Sequence, residues 1–241
     1  MSDERFSRSE LLFGEGNQQK LAASRVAVFG LGGVGGAVTE ALARAGIGAL
    51  DLVDNDVVTV SNLNRQVLAT EATVGRPKTE AAAERVASIN PACTVRLHNC
   101  FVLPDTVGEF DFAAYDYVVD AIDTVTGKLA IAEACQRAGT PLICVLGAGN
   151  KLDPMAFRVA DISETREDPL ARVLRTECRK RGIGPLQVVY SEEPPRKPLR
   201  AVPKGERGHA LVPGSVSFVP PAAGLLAASV VVRALLGETA P

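Results

Sequence analysis

Short apolar runs alternate with amphipathic stretches along the first 150 residues. The apolar runs are rich in β-branched residues, and the stretches between them begin near Gly or Pro and end at Gly or Asn-Pro. This alternation predicts a parallel sheet covered on both faces, which is an α/β fold of the Rossmann-like, doubly wound type. The predicted strands are residues 25–29, 50–53, 94–98, 117–121 and 142–146, and the predicted helices are residues 33–45, 77–89 and 126–137.

The pattern changes after residue 149. Strands are predicted at residues 157–162 and 187–190, on either side of a basic helix that begins at Asp168 and ends near Gly182. A loop rich in Pro, Lys, Arg and Gly is expected at residues 191–208, followed by a strand at 215–219 and a buried C-terminal helix. We expect residues 1–150 to form the core of the protein, on which residues 151–241 pack as an extension within one compact domain.

The apolar segment at residues 210–232 raises the question of a membrane span, because it carries no charge. Three prolines divide it, and the apolar run after the last proline is only about 11 residues, which is short for a bilayer. We therefore expect no stable membrane insertion.

Charge is unevenly distributed along the chain of 241 residues, whose formal net charge is −2. Residues 172–208 hold ten Lys or Arg against four Glu, so the remainder of the chain is acidic. A local basic stretch of this kind can bind a polyanion, and the alternative is a solvated surface. The five cysteines form no C-x-x-C pair, and their odd number is typical of a reducing compartment. Since the polar N-terminus lacks a secretory apolar region, we expect a cytoplasmic protein.

A glycine-rich loop follows the first predicted strand: residues 30–35 read Gly-Leu-Gly-Gly-Val-Gly. Glycines let backbone amides approach a phosphate, and the following helix N-terminus adds a partial positive charge. Asp54 lies at the tip of the next strand, where a carboxylate can accept ribose hydroxyls. These features alone indicate a nucleotide, so an NAD-dependent oxidoreductase stays open at this point.

Further residues favour ATP over NAD. Residues 61–66 read Ser-Asn-Leu-Asn-Arg-Gln, Lys78 begins a predicted helix, and Asp123 follows the fourth strand. A triphosphate needs cations and usually Mg²⁺, and Arg65 and Lys78 supply positive charge. Asp123 is predicted at the carboxyl edge of the sheet, where it can hold a metal ion.

These motifs resemble the ubiquitin-activating-enzyme-like (ThiF/MoeB) superfamily, which includes bacterial adenylyltransferases for sulfur carriers. The glycine loop and residues 61–66 match its nucleotide-binding signatures, and residues 5–8 (Arg-Phe-Ser-Arg) match its N-terminal motif. The resemblance implies that Arg8 reaches across a homodimer to the phosphates and that Asp123 holds Mg²⁺. The implied catalytic residues are Arg8, Arg65, Lys78 and Asp123, and the implied ATP-binding residues are Gly30, Gly32, Gly33, Gly35, Asp54, Asn62, Asn64, Arg65, Lys78 and Asp123.

Departures from the superfamily pattern point to one branch. The C-x-x-C pairs usual in sulfur-carrier adenylyltransferases are missing, no acceptor cysteine is recognisable, and Cys178 is expected to pack inside the protein. Residues 147–154, 179–183 and 213–224 instead resemble the tRNA threonylcarbamoyladenosine dehydratases. This resemblance implies an ATP-dependent enzyme that activates the carboxylate of the modified adenosine beside the anticodon and cyclises it.

Two other functions stay open: an adenylyltransferase for the C-terminal glycine of a ubiquitin-like sulfur carrier, and a non-catalytic nucleotide-sensing scaffold. The resemblance also implies partnership with a cysteine desulfurase and its sulfur acceptor. For the tRNA, the predicted contacts are the basic residues Arg175, Arg179, Lys180, Arg181, Arg196, Lys197 and Arg200.

Overall fold

A seven-stranded, mostly parallel sheet organises the chain in a computed structural model that describes residues 3–200, 202 and 212–238. The strands are β1 (Arg25–Phe29), β2 (Ala49–Val53), β3 (Thr94–His98), β4 (Tyr117–Asp120), β5 (Leu142–Val145), β6 (Phe157–Asp161) and β7 (Gln187–Ser191). Their order in the sheet is β3-β2-β1-β4-β5-β7-β6, and only β6 is antiparallel to its neighbour.

Helices cover both faces of the sheet, as predicted for a doubly wound fold. The helices are α1 (Ser7–Phe13), α2 (Glu15–Ala23), α3 (Gly33–Ala45), α4 (Lys78–Ile89), α5 (Val125–Ala138), α6 (Pro169–Arg181) and α7 (Val219–Leu235). Alternate residues of β1 face opposite sides: Val26 and Val28 belong to the core under α3, α4 and α7, whereas Ala27 and Phe29 belong to the core under α5.

The predicted strand at residues 215–219 is wrong. Residues 215 and 216 have no regular secondary structure, residues 217 and 218 form a bend, and Val219 already begins α7. The backbone of this segment instead bonds to loops: the Ser215 carbonyl accepts from the Asn64 amide at 3.0 Å, and the Gly214 carbonyl accepts from the Asn150 backbone at 2.7 Å. Helices α1 and α2 were not predicted; the apolar side chains of Leu11 and Leu12 on α1 are exposed, so the usual amphipathic signal is missing there.

The C-terminal part of the chain joins the same layers as the nucleotide-binding part. Strands β6 and β7 extend the sheet, and α7 packs directly on α3. A Cβ at Gly224 would lie only 2.4 Å from the Val34 carbonyl oxygen, so the two backbones approach closely at a glycine. The predicted buried C-terminal helix is confirmed. Across the residues that the structure describes, no helix has the length and apolar character to cross a bilayer.

Candidate active site

The glycine loop lies between β1 and the N-terminus of α3, where the sheet order reverses between β1 and β4. Gly30 has φ +88°, a left-handed conformation that favours glycine, and a Cβ there would be 2.8 Å from the Ala121 carbonyl oxygen. A Cβ at Gly35 would be 1.7 Å from the Gly30 carbonyl oxygen. The loop is therefore closed on itself and on the turn after β4 in a way that only glycine permits.

Asp54 directly follows β2 and holds the glycine loop in place. One carboxylate oxygen accepts the Leu31 amide at 2.6 Å, and the other accepts the Asp56 amide at 2.8 Å. Each carboxylate oxygen has two lone pairs, so the group retains acceptor capacity for a ribose hydroxyl. The sequence prediction placed Asp54 correctly at the cleft, but it did not foresee this second role in fixing the loop.

Lys78 is the first residue of α4, and its side chain is only 7% exposed. Its ammonium group lies 2.7 Å from the Asp56 carboxylate and 3.7 Å from that of Asp54. The ammonium group of Lys78 is therefore buried within the cleft rather than held on the open surface. Asp56 was missed as a site residue, although it stands only two positions beyond Asp54.

One cleft of about 520 Å³ brings together five of the predicted site residues: Gly30, Gly32, Asp54, Lys78 and Asp123. This volume lies within the range of small-molecule sites. Its other walls come from the turns after β2, β3 and β4, whose remaining residues were not predicted as site residues. These additional lining residues are Val53, Asn55, Asp56, Cys100, Phe101, Val102, Ala121, Ile122 and Thr124.

Residues 61–66 lie beside this cleft rather than in its wall. The side-chain oxygen of Asn62 accepts a hydrogen bond from the Thr59 backbone amide at 3.1 Å and so caps a short 3₁₀ turn. The Arg65 guanidinium donates to the Ser61 carbonyl at 2.8 Å and to the side chain of Asn64 at 3.0 Å. Arg65 and Asn64 line a neighbouring groove of about 450 Å³. The Arg65 guanidinium must therefore break its hydrogen bond to the Ser61 carbonyl before it can reach a group bound in the cleft.

Arg8 is exposed on α1 and is not among the residues that line the cleft of its own chain. The same short helix presents Leu11 and Leu12, each 85% exposed. Exposing two adjacent leucines to water is energetically unfavourable for an isolated chain. This face of α1 is therefore a candidate site of contact with a second protein.

Asp123 lines the cleft at the turn after β4 and presents an exposed carboxylate. Within residues 3–200, 202 and 212–238, no group of three His, Cys, Asp or Glu side chains could hold a metal ion. Mg²⁺ in proteins is usually held by one or two carboxylates together with water and phosphate oxygens, so Asp123 could contribute one ligand to such an ion.

The fold separates the predicted tRNA-binding residues into two groups. Strand β7 runs parallel to β5 toward the edge that holds the cleft, so α6, which precedes it, runs away from that edge. The last turn of α6 carries Arg179, Lys180 and Arg181. Arg181 pairs at 3.2 Å with Glu133, which lies eight residues into α5, about 12 Å along that helix from the cleft. These three cations therefore lie toward the opposite edge.

The second group follows β7 at the edge with the cleft. Arg196, Lys197 and Arg200 are exposed there, and the Arg196 backbone amide donates to the Asn150 carbonyl at 2.7 Å. Arg175, by contrast, points inward and donates to the carbonyl and hydroxyl of Thr165, both at 2.8 Å. Two further cations of the basic stretch, Lys204 and Arg207, lie outside the described residues.

Cys178 is 2% exposed and packs in an apolar cluster with Leu174 and Tyr190, as predicted. Burial raises the pKa of its thiol, which disfavours the thiolate that an acyl acceptor would need. The packing role is therefore confirmed.

The fold and the cleft define a nucleotide-binding α/β protein in which acidic groups and one buried lysine surround the glycine loop. More closely, the chain belongs to the ThiF family, whose model matches residues 6–241. It is 42% identical to the tRNA threonylcarbamoyladenosine dehydratase of Bacillus subtilis, over 97% of this chain and 95% of that protein.

The fold is also similar to that of a solved structure that contains ATP. The structure of the Escherichia coli tRNA N6-threonylcarbamoyladenosine dehydratase TcdA in complex with ATP matches with a TM-score of 0.87 and 36% identity, over 97% of this chain and 94% of that one. The molybdopterin-synthase adenylyltransferase of Salmonella typhimurium is 42% identical, but over only 58% of this chain and 56% of that protein.

Proposed function

We propose that this protein is an ATP-dependent tRNA threonylcarbamoyladenosine dehydratase. The observation that carries the proposal is the 42% identity along almost the full length of a relative with that name, together with a cleft that fits ATP. The match to the molybdopterin-synthase adenylyltransferase covers only 58% of this chain, which favours the dehydratase over that activity.

The chemistry follows from the substrate's free carboxylate, which is a poor electrophile because oxide is a very poor leaving group. Attack of a carboxylate oxygen on the α-phosphorus of ATP forms an acyl-adenylate and releases pyrophosphate. A nucleophile in the same side chain then attacks the acyl carbon, and AMP leaves with the electron pair of the broken C–O bond. The product is a ring that has one water fewer than the substrate.

This reaction needs positioning and positive charge rather than an enzyme nucleophile. The buried ammonium group of Lys78 lies where it can exchange its carboxylate partners for phosphate oxygens, and backbone amides of the glycine loop provide further donors. Mg²⁺ held by Asp123 and the phosphates would neutralise additional charge on the triphosphate. Arg65 supplies a second cation if its guanidinium turns from the Ser61 carbonyl toward the cleft.

A homodimer completes the site in this proposal. Arg8 does not reach the cleft of its own chain, but a second copy docked through the exposed leucines of α1 would bring its Arg8 to the phosphates. Both the dimer and this contact are part of the proposal, as is the work of the enzyme in the cytoplasm, where its tRNA substrate is found.

For the tRNA, we propose contact at the edge of the sheet that carries the cleft. The modified nucleotide must enter the cleft, so the phosphates nearest to it meet Arg196, Lys197 and Arg200 before they meet the far end of α6. Association with a sulfur-transfer pair stays a prediction, because no described surface points to it.

The deciding experiment is mass spectrometry of nucleosides from threonylcarbamoyl-modified tRNA, incubated with the protein and Mg²⁺ with and without ATP. Digestion must be mild, because a cyclic product can reopen. We expect an ATP-dependent loss of one water, about 18 mass units. If the tRNA is demonstrably modified, ATP is bound and the mass does not change, the proposal is wrong. The next substrate to test would then be a ubiquitin-like protein that ends in Gly-Gly.

A further inference from the structure

A fully buried ionic cluster lies directly behind the cleft. Asp120, Lys128 and Cys144 are 0%, 1% and 1% exposed. The Lys128 ammonium donates to the Asp120 carboxylate at 3.1 Å, to the Val145 carbonyl at 2.8 Å and to the Cys144 sulfur at 3.5 Å. All three ammonium protons are therefore used, in three directions.

The buried surroundings change the pKa of both the Lys128 ammonium and the Cys144 thiol. Burial opposes the charge on Lys128, yet the nearby Asp120 carboxylate keeps the pKa of the ammonium above its ordinary value. Burial and the same carboxylate raise the pKa of the Cys144 thiol well above its usual range. The Cys144 thiol donates to the second carboxylate oxygen of Asp120 at 3.2 Å, so the thiol and the ammonium group share one acceptor group.

Stability alone is a weak explanation for such a pair. Removing two charges from water is costly, and apolar residues of similar volume often stabilise a core as well or better. The cluster is also surrounded by apolar side chains of β4, β5 and α5, so a purely apolar solution fits the surroundings.

The connections of the cluster lead to the cleft. Asp120 is the last residue of β4, and its carboxylate also accepts the Ile122 amide at 3.2 Å, so it shapes the turn that carries Asp123. On its other side, this turn presses against the glycine loop at Gly30. Lys128, in the first turns of α5, ties the Asp120 side chain to the end of β5.

We propose that Lys128 is a positioning residue for the nucleotide: through Asp120 it fixes the turn of residues 121–124 so that Asp123 faces the phosphates of ATP. The inference rests on the proposed ATP chemistry. Lys128 itself touches no substrate and acts through the shape of the turn. A displacement of about 1 Å at a reacting group can lower a rate by about 10²-fold, so a loosened turn has a measurable cost.

The test must separate a positioning role from a structural one. Lys128→Met alone leaves a buried carboxylate without its partner and can fail to fold. The informative variant is therefore Lys128→Met/Asp120→Asn, which removes both charges and keeps the volume and the acceptor for the Ile122 amide. It is compared with Asp123→Ala and with the variant that combines all three substitutions. Thermal unfolding is measured for each.

The first readout is calorimetric ATP affinity with and without Mg²⁺, which needs no turnover. The neutral-pair variant should keep a thermal transition near that of the wild type and lose the Mg²⁺-dependent gain in affinity, as Asp123→Ala does. The second readout is kcat for ATP-dependent turnover, which should fall about 10²-fold, with no further loss when Asp123→Ala is added.

Three results would overturn the inference. The neutral-pair variant could keep the Mg²⁺-dependent gain in ATP affinity, or it could keep a normal kcat. In the combined variant, the loss of kcat could equal the product of the losses in the neutral-pair variant and in Asp123→Ala. A wild-type protein that binds ATP with Mg²⁺ but does not dehydrate the tRNA would refute the proposed function instead, and the affinity comparison would still decide the role of Lys128. A neutral-pair variant that does not fold would show that the pair is structural and would also overturn the inference.

Discussion

Replacement of Lys78 by alanine is the sharpest test of the cleft. The ammonium group is buried between two carboxylates, 2.7 Å from Asp56 and 3.7 Å from Asp54, at the place where the phosphates must enter. Without it, a triphosphate with several negative charges meets two uncompensated carboxylates. Loss of one such charge-stabilising group costs about 10²- to 10³-fold in rate, which is about 3–4 kcal/mol of transition-state free energy.

The cost in folding stability should be much smaller. Asp56 is 61% exposed and returns readily to water, and Asp54, although only 8% exposed, keeps its two backbone donors, so we expect a loss of about 1–2 kcal/mol. The assay is ATP-dependent loss of water from the modified tRNA, with thermal unfolding measured in parallel. Lys20→Ala, at an exposed lysine of α2, is the matched control. Turnover of Lys78→Ala within a few-fold of the control would refute this account of the cleft.

Three further predictions test the loop, the dimer and the tRNA surface. Gly35→Ala should lower ATP affinity at least about 10-fold, because the added methyl group would overlap the Gly30 carbonyl, whereas Gly16→Ala, which meets no atom within 4 Å, should bind ATP normally in the same titration. Arg8→Ala and Lys78→Ala should each be inactive, but random exchange of their subunits should restore about a quarter of wild-type turnover. Half of the dimers are then mixed, and one of the two sites in each mixed dimer has both an intact Lys78 and an intact Arg8 from the other subunit. No recovery after demonstrated subunit exchange would contradict action across a dimer. Neutralising Arg196, Lys197 and Arg200 together should weaken tRNA binding and reduce its salt dependence by about two to three ion equivalents, while ATP affinity stays the same. The same treatment of Arg179, Lys180 and Arg181 removes equal charge at the opposite edge, so a larger effect there would reverse the proposed orientation of the tRNA.

The local sequence determined most of the fold and part of the site. Hydrophobic periodicity and glycine or proline boundaries identified seven strands and five helices with errors of one or two residues, because these signals depend on neighbours along the chain. The glycine loop, Asp54, Lys78 and Asp123 were found for a related reason: each stands at a strand end or a helix start, and the carboxyl ends of parallel strands share one edge. Residues 61–66, Lys78 and Asp123 then favoured ATP over NAD, and the family resemblance supported this choice.

Tertiary structure decided what depends on distant parts of the chain. The apolar segment at residues 215–219 has the composition of a strand, but it is not a strand of the described sheet, and the Ser215 carbonyl accepts from the Asn64 side chain instead. The basic stretch looks continuous in sequence, yet the reversal of direction between α6 and β7 sends its two halves to opposite edges of the sheet. The pairing of Lys128 with Asp120 joins a helix to a strand end in the core, and nothing in the local pattern marks a lysine that is fully buried. Sequence periodicity shows which face of an element is buried, whereas chain direction and side-chain partners are set only when the elements pack together.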